Sequence, residues 1–124
     1  MPILDDAIEA VRDHFDGHSV EAVSDGAGGY FVTVSDVRLG PKYIPDSTWL
    51  GFHVNAAYPM SDVYPHYLGV VVRADGSDHC SAVQPVTWRE KAALQLSRRS
   101  NGWNPMLDNA ALKAEKVLTW FVDL

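Results

Sequence analysis

The sequence predicts an α+β domain: an amphipathic helix, a four-stranded antiparallel meander, then helices. Three observations carry this. Leu4, Ile8, Val11 and Phe15 recur at helical spacing near the start; segments 30–37 and 49–55 alternate with the period of a strand; and Leu107, Ala110, Ala111, Ala114, Val117, Leu118 and Phe121 draw an apolar stripe along a closing helix. A length of 124 residues fits one domain, 1–124, able to bury a core without disulfides or metal.

The first helix is expected over 2–15. Pro2 suits a first turn, Asp5 and Asp6 favour the helix dipole, and Gly17 is a stop. His14 and His18 stand four apart, but no third metal ligand is near and Gly17 breaks the helix between them. A short strand, 19–23, then meets the turn Asp25-Gly26-Ala27-Gly28-Gly29. The strand 30–37 follows, with Tyr30, Val32 and Val34 alternating against Phe31, Thr33 and Ser35. No Lys-Ser/Thr follows these glycines and no helix opens from them, so they are turn residues and not a phosphate cradle. Segment 39–47 is a loop with Gly40, Pro41 and Pro45.

Segment 48–73 is the centre of the pattern. In the strand 49–55, Phe52 and Val54 share one face, while Gly51, His53 and Asn55 take the other. A crossing pinned by Tyr58-Pro59 and Tyr64-Pro65 leads to a second apolar strand, 68–73. After the turn 75–78, His79-Cys80-Ser81 opens an extended segment reaching Pro85. Segment 88–96 (WREKAALQL) has helical composition, Asn101-Gly102 is a turn, and the closing helix is expected over 108–121, with Lys113, Glu115 and Lys116 on its wet side.

A hydrophobic content of 47% with 21% charged residues is globular composition. The net charge of −6 argues against a nucleic-acid partner or an anionic membrane surface. Arg89, Lys91, Arg98 and Arg99 are close enough in sequence to form a local basic face, or simply a solvated helix face. Cys80 is the only cysteine, which rules out an internal disulfide and points to a reducing, cytoplasmic setting. Neither a signal peptide nor a membrane-spanning apolar run is expected. No cofactor motif is found, and no G-x-S-x-G signature supports a hydrolase.

The order helix, meander, Tyr58-Pro59 and Tyr64-Pro65 before the fourth strand, then Trp103-Asn104-Pro105 and a helix resembles the ubiquitin-conjugating enzyme fold. The chain looks most like a bacterial branch found beside ubiquitin-like and activating-enzyme-like genes. Ser97-Arg98-Arg99, Trp103-Asn104-Pro105 and Asp108 stand here in the order that branch favours. The resemblance implies a ubiquitin-like protein and an activating-enzyme-like protein as partners. It also implies Cys80 as the thioester carrier, with His79 beside it. Two departures stand out. No His-Pro-Asn precedes Cys80, and that asparagine is implicated in stabilising the oxyanion. The interval from Cys80 to Trp103, 23 residues, is also longer than the family's, and an inserted helix over 88–96 would account for it.

Thioester chemistry needs an exposed thiol with thiolate character and a donor for the tetrahedral oxyanion. Asn101 and Ser81 are candidate donors. If Cys80 is the carrier, it is expected in a shallow groove near the Trp103 loop. The competing readings are a cysteine without a role and a non-catalytic adaptor of the same fold. Trp103 and Pro105 also read as a lid over the core, Tyr58, Pro59, Tyr64 and Pro65 as scaffold, and His53 as a hydrogen-bonded surface histidine.

Overall fold

The computed structural model describes residues 2–98, 100 and 102–124, so Arg99 and Asn101, singled out above, lie outside the described residues. Chain order is α1 (Pro2–His14), β1 (Val20–Ser24), β2 (Tyr30–Arg38), β3 (Tyr43–Ile44), β4 (Ser47–Val54), β5 (His66–Gly69), β6 (Val72–Arg73), β7 (Val83–Trp88), β8 (Lys91–Leu96) and α2 (Ala110–Asp123). The protein is therefore α+β with a helix at each end. Its main sheet has six strands rather than four, in the order β1-β2-β4-β5-β8-β7, every neighbouring pair antiparallel.

Side-chain alternation decides which sheet face is covered. Val32, Val34, Leu50, Phe52, Val54, Leu68, Leu94 and Leu96 are at most 3% exposed. They form one core with Leu4, Ile8, Val11 and Phe15 of α1 and with Ala110, Ala114, Val117 and Phe121 of α2. Both helices thus pack on this inner face, as the 3.6-residue stripe and the two-residue alternation require. α2 starts later than its stripe: Asn109 is the N-cap, its side chain accepting from Leu112 N at 2.9 Å, and Leu107 before it is 74% exposed.

Three expectations are corrected. Segment 88–96 is not a helix and, among the described residues, only one helix follows the sheet: β7 and β8 form a hairpin whose inner strand pairs with β5 from His66↔Leu96 to Gly69↔Ala93. Helix propensity is a weak prior, and the alternation of Leu94 and Leu96 on the core face wins. Arg89 and Glu90 form its two-residue turn at φ 49° and 67°, without the Asn-Gly that normally announces such a turn. The apolar run 68–73 splits: β5 stays in the main sheet, while β6 leaves it to pair with β3, Tyr43↔Arg73 and Ile44↔Val72, a ribbon within what the sequence reads as loop. Lys113 is not on the wet side of α2 but 4% exposed.

Among the described residues the outer face of the sheet carries no helix. It holds a second layer built from rings. Trp88 stacks against Tyr67 (4.7 Å between centroids) and Trp49 (5.7 Å), Phe31 meets Trp88 edge-on, and His53 lies 4.7 Å from Phe31. Gly51 and Gly69 provide the floor, since a Cβ at either would run into Trp88 or Trp49. The hairpin tip is folded back over β4 and held there by this layer. Among the described residues no helix is long and apolar enough to cross a membrane.

Candidate functional site

The sequence-selected residues gather at the two ends of α2. At its N-terminal end the Tyr58 hydroxyl accepts from Ala110 N at 3.1 Å, tying the crossing to the first turn of the helix. Trp103 Nε1–H donates to Pro59 O at 2.8 Å, and its ring lies 6.5 Å from that of Tyr58. The lid is closed by the Asp108 carboxylate, which accepts from Asn104 N at 2.8 Å and stands 3.7 Å from Lys116 Nζ. Pro105 is half-buried in the turn between them. Tyr58-Pro59 and Tyr64-Pro65 are both cis.

Cys80 sits at the other end. Its thiol is free and exposed, on the loop between β6 and β7, and its carbonyl accepts from Val83 N. His79 turns inward: Nε2–H donates to Val71 O at 2.8 Å, and the ring lies 6.3 Å from Tyr43 and 6.0 Å from Phe121. Tyr43 donates its hydroxyl to Phe121 O at 2.7 Å, and burial pushes its phenol up against the opposing pull of Arg73. Arg73 in turn donates to Leu124 O. Ser97 N bonds Ala82 O, which brings Ser97 to the Cys80 loop, and Arg98 lies over the Trp120 ring at 5.7 Å.

The expected placement of Cys80 beside the Trp103 loop is therefore not what is found. Trp103 belongs to the Ala110 end of α2 and the Cys80 loop to its Phe121 end, about 16 Å apart along the helix at 1.5 Å per residue. The cause is the β7–β8 hairpin, which carries the chain out and back between the two positions. Among the described residues no hydrogen bond reaches Cys80 Sγ, and Ser81 offers only its carbonyl, to Gln84.

Asp62 and Ser100, which sequence reasoning passed over, hold Lys113, which it placed on the wet side of α2. Lys113 Nζ donates to both oxygens of Asp62 (3.1 and 3.0 Å) and to Ser100 Oγ (2.7 Å), and Ser100 N donates to Asp62 at 2.8 Å. Burial works to raise the Asp62 pKa, but the Ser100 and Lys113 hydrogen bonds outweigh it and hold the carboxyl below its usual range. Burial pushes Lys113 down, against the pull of Asp62. Beneath them His66 is fully buried with neither ring nitrogen hydrogen-bonded, and burial drives its pKa down to about 3, so it is neutral. The helical projection held a clue: Lys113 falls only about 40° from Val117 at 100° per residue, on the margin of the apolar stripe. A cleft of about 950 Å³ runs along α2 over this network, with Arg98, Leu107, Lys116 and Trp120 in its walls; Cys80 lies outside its lining.

On the outer sheet face, Asp25 is held by three donors: His53 Nε2–H at 2.7 Å, Ala27 N at 2.7 Å and Gly29 N at 2.9 Å. The His53 hydrogen bond is the largest influence, with the two backbone N–H groups behind it, and the carboxyl is lowered to about 2. The glycine turn therefore serves to wrap a carboxylate. Since the folded value lies below the unfolded one, the stability Asp25 supplies is present above about pH 4 and lost as pH falls towards 2. A carboxyl-detected NMR titration should find the Asp25 midpoint near 2, and His53→Ala should move it up towards 3.8. An unmoved midpoint in the variant would show that the turn alone sets it.

His14 pairs with Glu115 and His18 Nδ1–H donates to Ser35 O, each occupied by a protein partner. Comparison of the chain with protein-family models, with curated proteins and with solved structures finds no match.

Proposed function

We propose that the chain is a ubiquitin-conjugating enzyme-like protein of a bacterial ubiquitin-like pathway, with Cys80 as the carrier. The observation that carries this reading is the position of the thiol. It is exposed and unpaired, on the loop reached after β5, the fourth strand of the meander. The Cys80 thiolate attacks the thioester carbonyl of a ubiquitin-like C-terminus held by an activating enzyme, whose own thiol leaves. An acceptor amine then attacks the new thioester, an amide forms, and Cys80 departs as the thiol. Within this reading Tyr58, Pro59, Trp103, Pro105 and Asp108 are scaffold that fixes α2.

A second reading, a non-catalytic binding adaptor of the same fold, is favoured by two observations. Cys80 stands at the far end of α2 from Trp103, with no hydrogen-bond donor at Sγ among the described residues. And Ile3, Met106 and Leu107, each at least half exposed, rim a shallow hollow of about 340 Å³ beside Pro59 and Pro105, an apolar surface suited to a protein partner.

The test is a thioester assay with the neighbouring activating enzyme, its ubiquitin-like protein and ATP, run beside Cys80→Ser on a non-reducing gel. The carrier reading expects a thiol-sensitive adduct lost in the variant. Binding of the ubiquitin-like protein without an adduct would leave the adaptor.

A further inference from the structure

We propose that the ring-covered outer face of the sheet, at the β7–β8 tip, docks the acidic face of helix α1 of a second copy of this chain. The tip is built at a conformational cost. Arg89 and Glu90 both occupy the left-handed region, at roughly 1–2 kcal/mol for each non-glycine residue. What this conformation achieves is to present cations over an aromatic layer. The Arg89 guanidinium lies 5.0 Å from the Phe31 ring and 5.6 Å from Trp88, and Lys91 Nζ lies 5.4 Å from Trp49. Neither cation has an ion-pair partner among the described residues. A surface rich in Trp, Tyr, Phe and Arg has the composition of an interface centre.

The complementary surface is on the same chain. Asp6, Glu9 and Asp13 of α1 are exposed and fall within about 60° of one another at 100° per residue, opposite the stripe that α1 buries, and exposed Asp16 follows in the turn after the helix. Only Arg12, paired with Glu9 at 3.1 Å, offsets them there; Asp6, Asp13 and Asp16 have no ion-pair partner among the described residues. A chain of net charge −6 carrying unpaired cations on one face and unpaired carboxylates on another has charge complementarity between copies. The two surfaces lie on opposite sides of the molecule, because α1 packs on the inner sheet face and the rings on the outer one. Contact between them is heterologous: each copy that docks presents a fresh face, so assembly does not stop at a dimer. This inference is independent of any role for Cys80.

Sedimentation equilibrium of the full chain tests it. At about 50 mM salt the weight-average mass should exceed 13.7 kDa and climb with concentration past twice that value. At about 500 mM, where the Debye length falls to a few ångströms, it should return to the monomer. Lys91→Glu, at an exposed position that does not threaten the hairpin, and Arg89→Glu/Lys91→Glu should both be monomeric. So should Asp6→Lys/Asp13→Lys, while an equimolar mixture of the two double variants should associate again. A wild-type chain that stays at the monomer mass at low salt, association that survives both charge reversals, or a mixture that fails to associate would each overturn the proposal.

Discussion

Gly51→Ala is expected to destabilise the protein by about 3 kcal/mol, the upper part of the usual range for forcing an added methyl into a filled space. The backbone there tolerates any residue, so the effect is one of space. The new Cβ would lie 2.6 Å from Trp88 Cη2 and 3.0 Å from Trp49 Cζ3, with Trp88 Cζ3 closer still. Trp88 has no easy retreat, being held between Trp49 and Tyr67 and only 8% exposed. The methyl must therefore lift the hairpin tip from β4 or push β4 into the core. Urea denaturation followed by far-ultraviolet circular dichroism measures the loss. A double-mutant cycle with Trp88→Leu assigns it, because the smaller side chain should remove most of the cost of the methyl. A loss below about 1 kcal/mol, or one unchanged in the Trp88→Leu background, would mean that the rings do not pin the hairpin. The same variant should lose self-association, since the surface that presents Arg89 and Lys91 exists only while the tip is down.

The rings also mark where sequence reading stops. Both helices and the two long strands are legible because their burial is periodic: Ile8 and Val11, or Phe52 and Val54, each announce a face on their own. The 83–96 hairpin is not. Ala92, Ala93 and Leu94 are good helix formers, the turn is made by Arg89 and Glu90 rather than Asn-Gly, and the strand exists because β5 offers an unpaired edge. The purpose of Gly51 is likewise invisible without Trp88, which is 37 positions away in sequence and in contact only through the curl of the sheet. At the candidate site, Cys80 could be singled out as the lone thiol, and Trp103 with Pro105 as a lid over the core. Their separation along α2 could not, because it follows from that same hairpin. Asp62 and Ser100 carry no signal of their own: each is an ordinary loop residue until a lysine from α2 reaches it.

That lysine makes the second large effect, and its sign depends on which partner is removed. Lys113 is 3% exposed at its side chain and Asp62 19%. Asp62→Asn leaves a buried ammonium with no counter-charge and should cost about 3–5 kcal/mol. Lys113→Met should cost less, because the carboxylate left behind reaches water and keeps the Ser100 N–H, while the methionine fits the apolar margin of α2. Burial already pushes Lys113 towards its neutral form, so the ammonium is held at a cost that the substitution removes. Asp62→Leu/Lys113→Met should recover most of the loss of the single aspartate variant, as replacement of a buried pair by apolar groups often does. The pH dependence has a definite direction. Asp62 is lowered in the folded state, so its contribution is present above about pH 4 and lost as pH falls through the depressed value. In Lys113→Met that acid-side slope should flatten. The local readout is the indole N–H of Trp103, bonded to Pro59 O on the loop that Lys113 pins to α2 through Asp62. Its hydrogen exchange should accelerate in Asp62→Asn well below the global unfolding transition. Exchange that changes only in step with global stability would show that the ion pair contributes to the core as a whole and does not hold this loop.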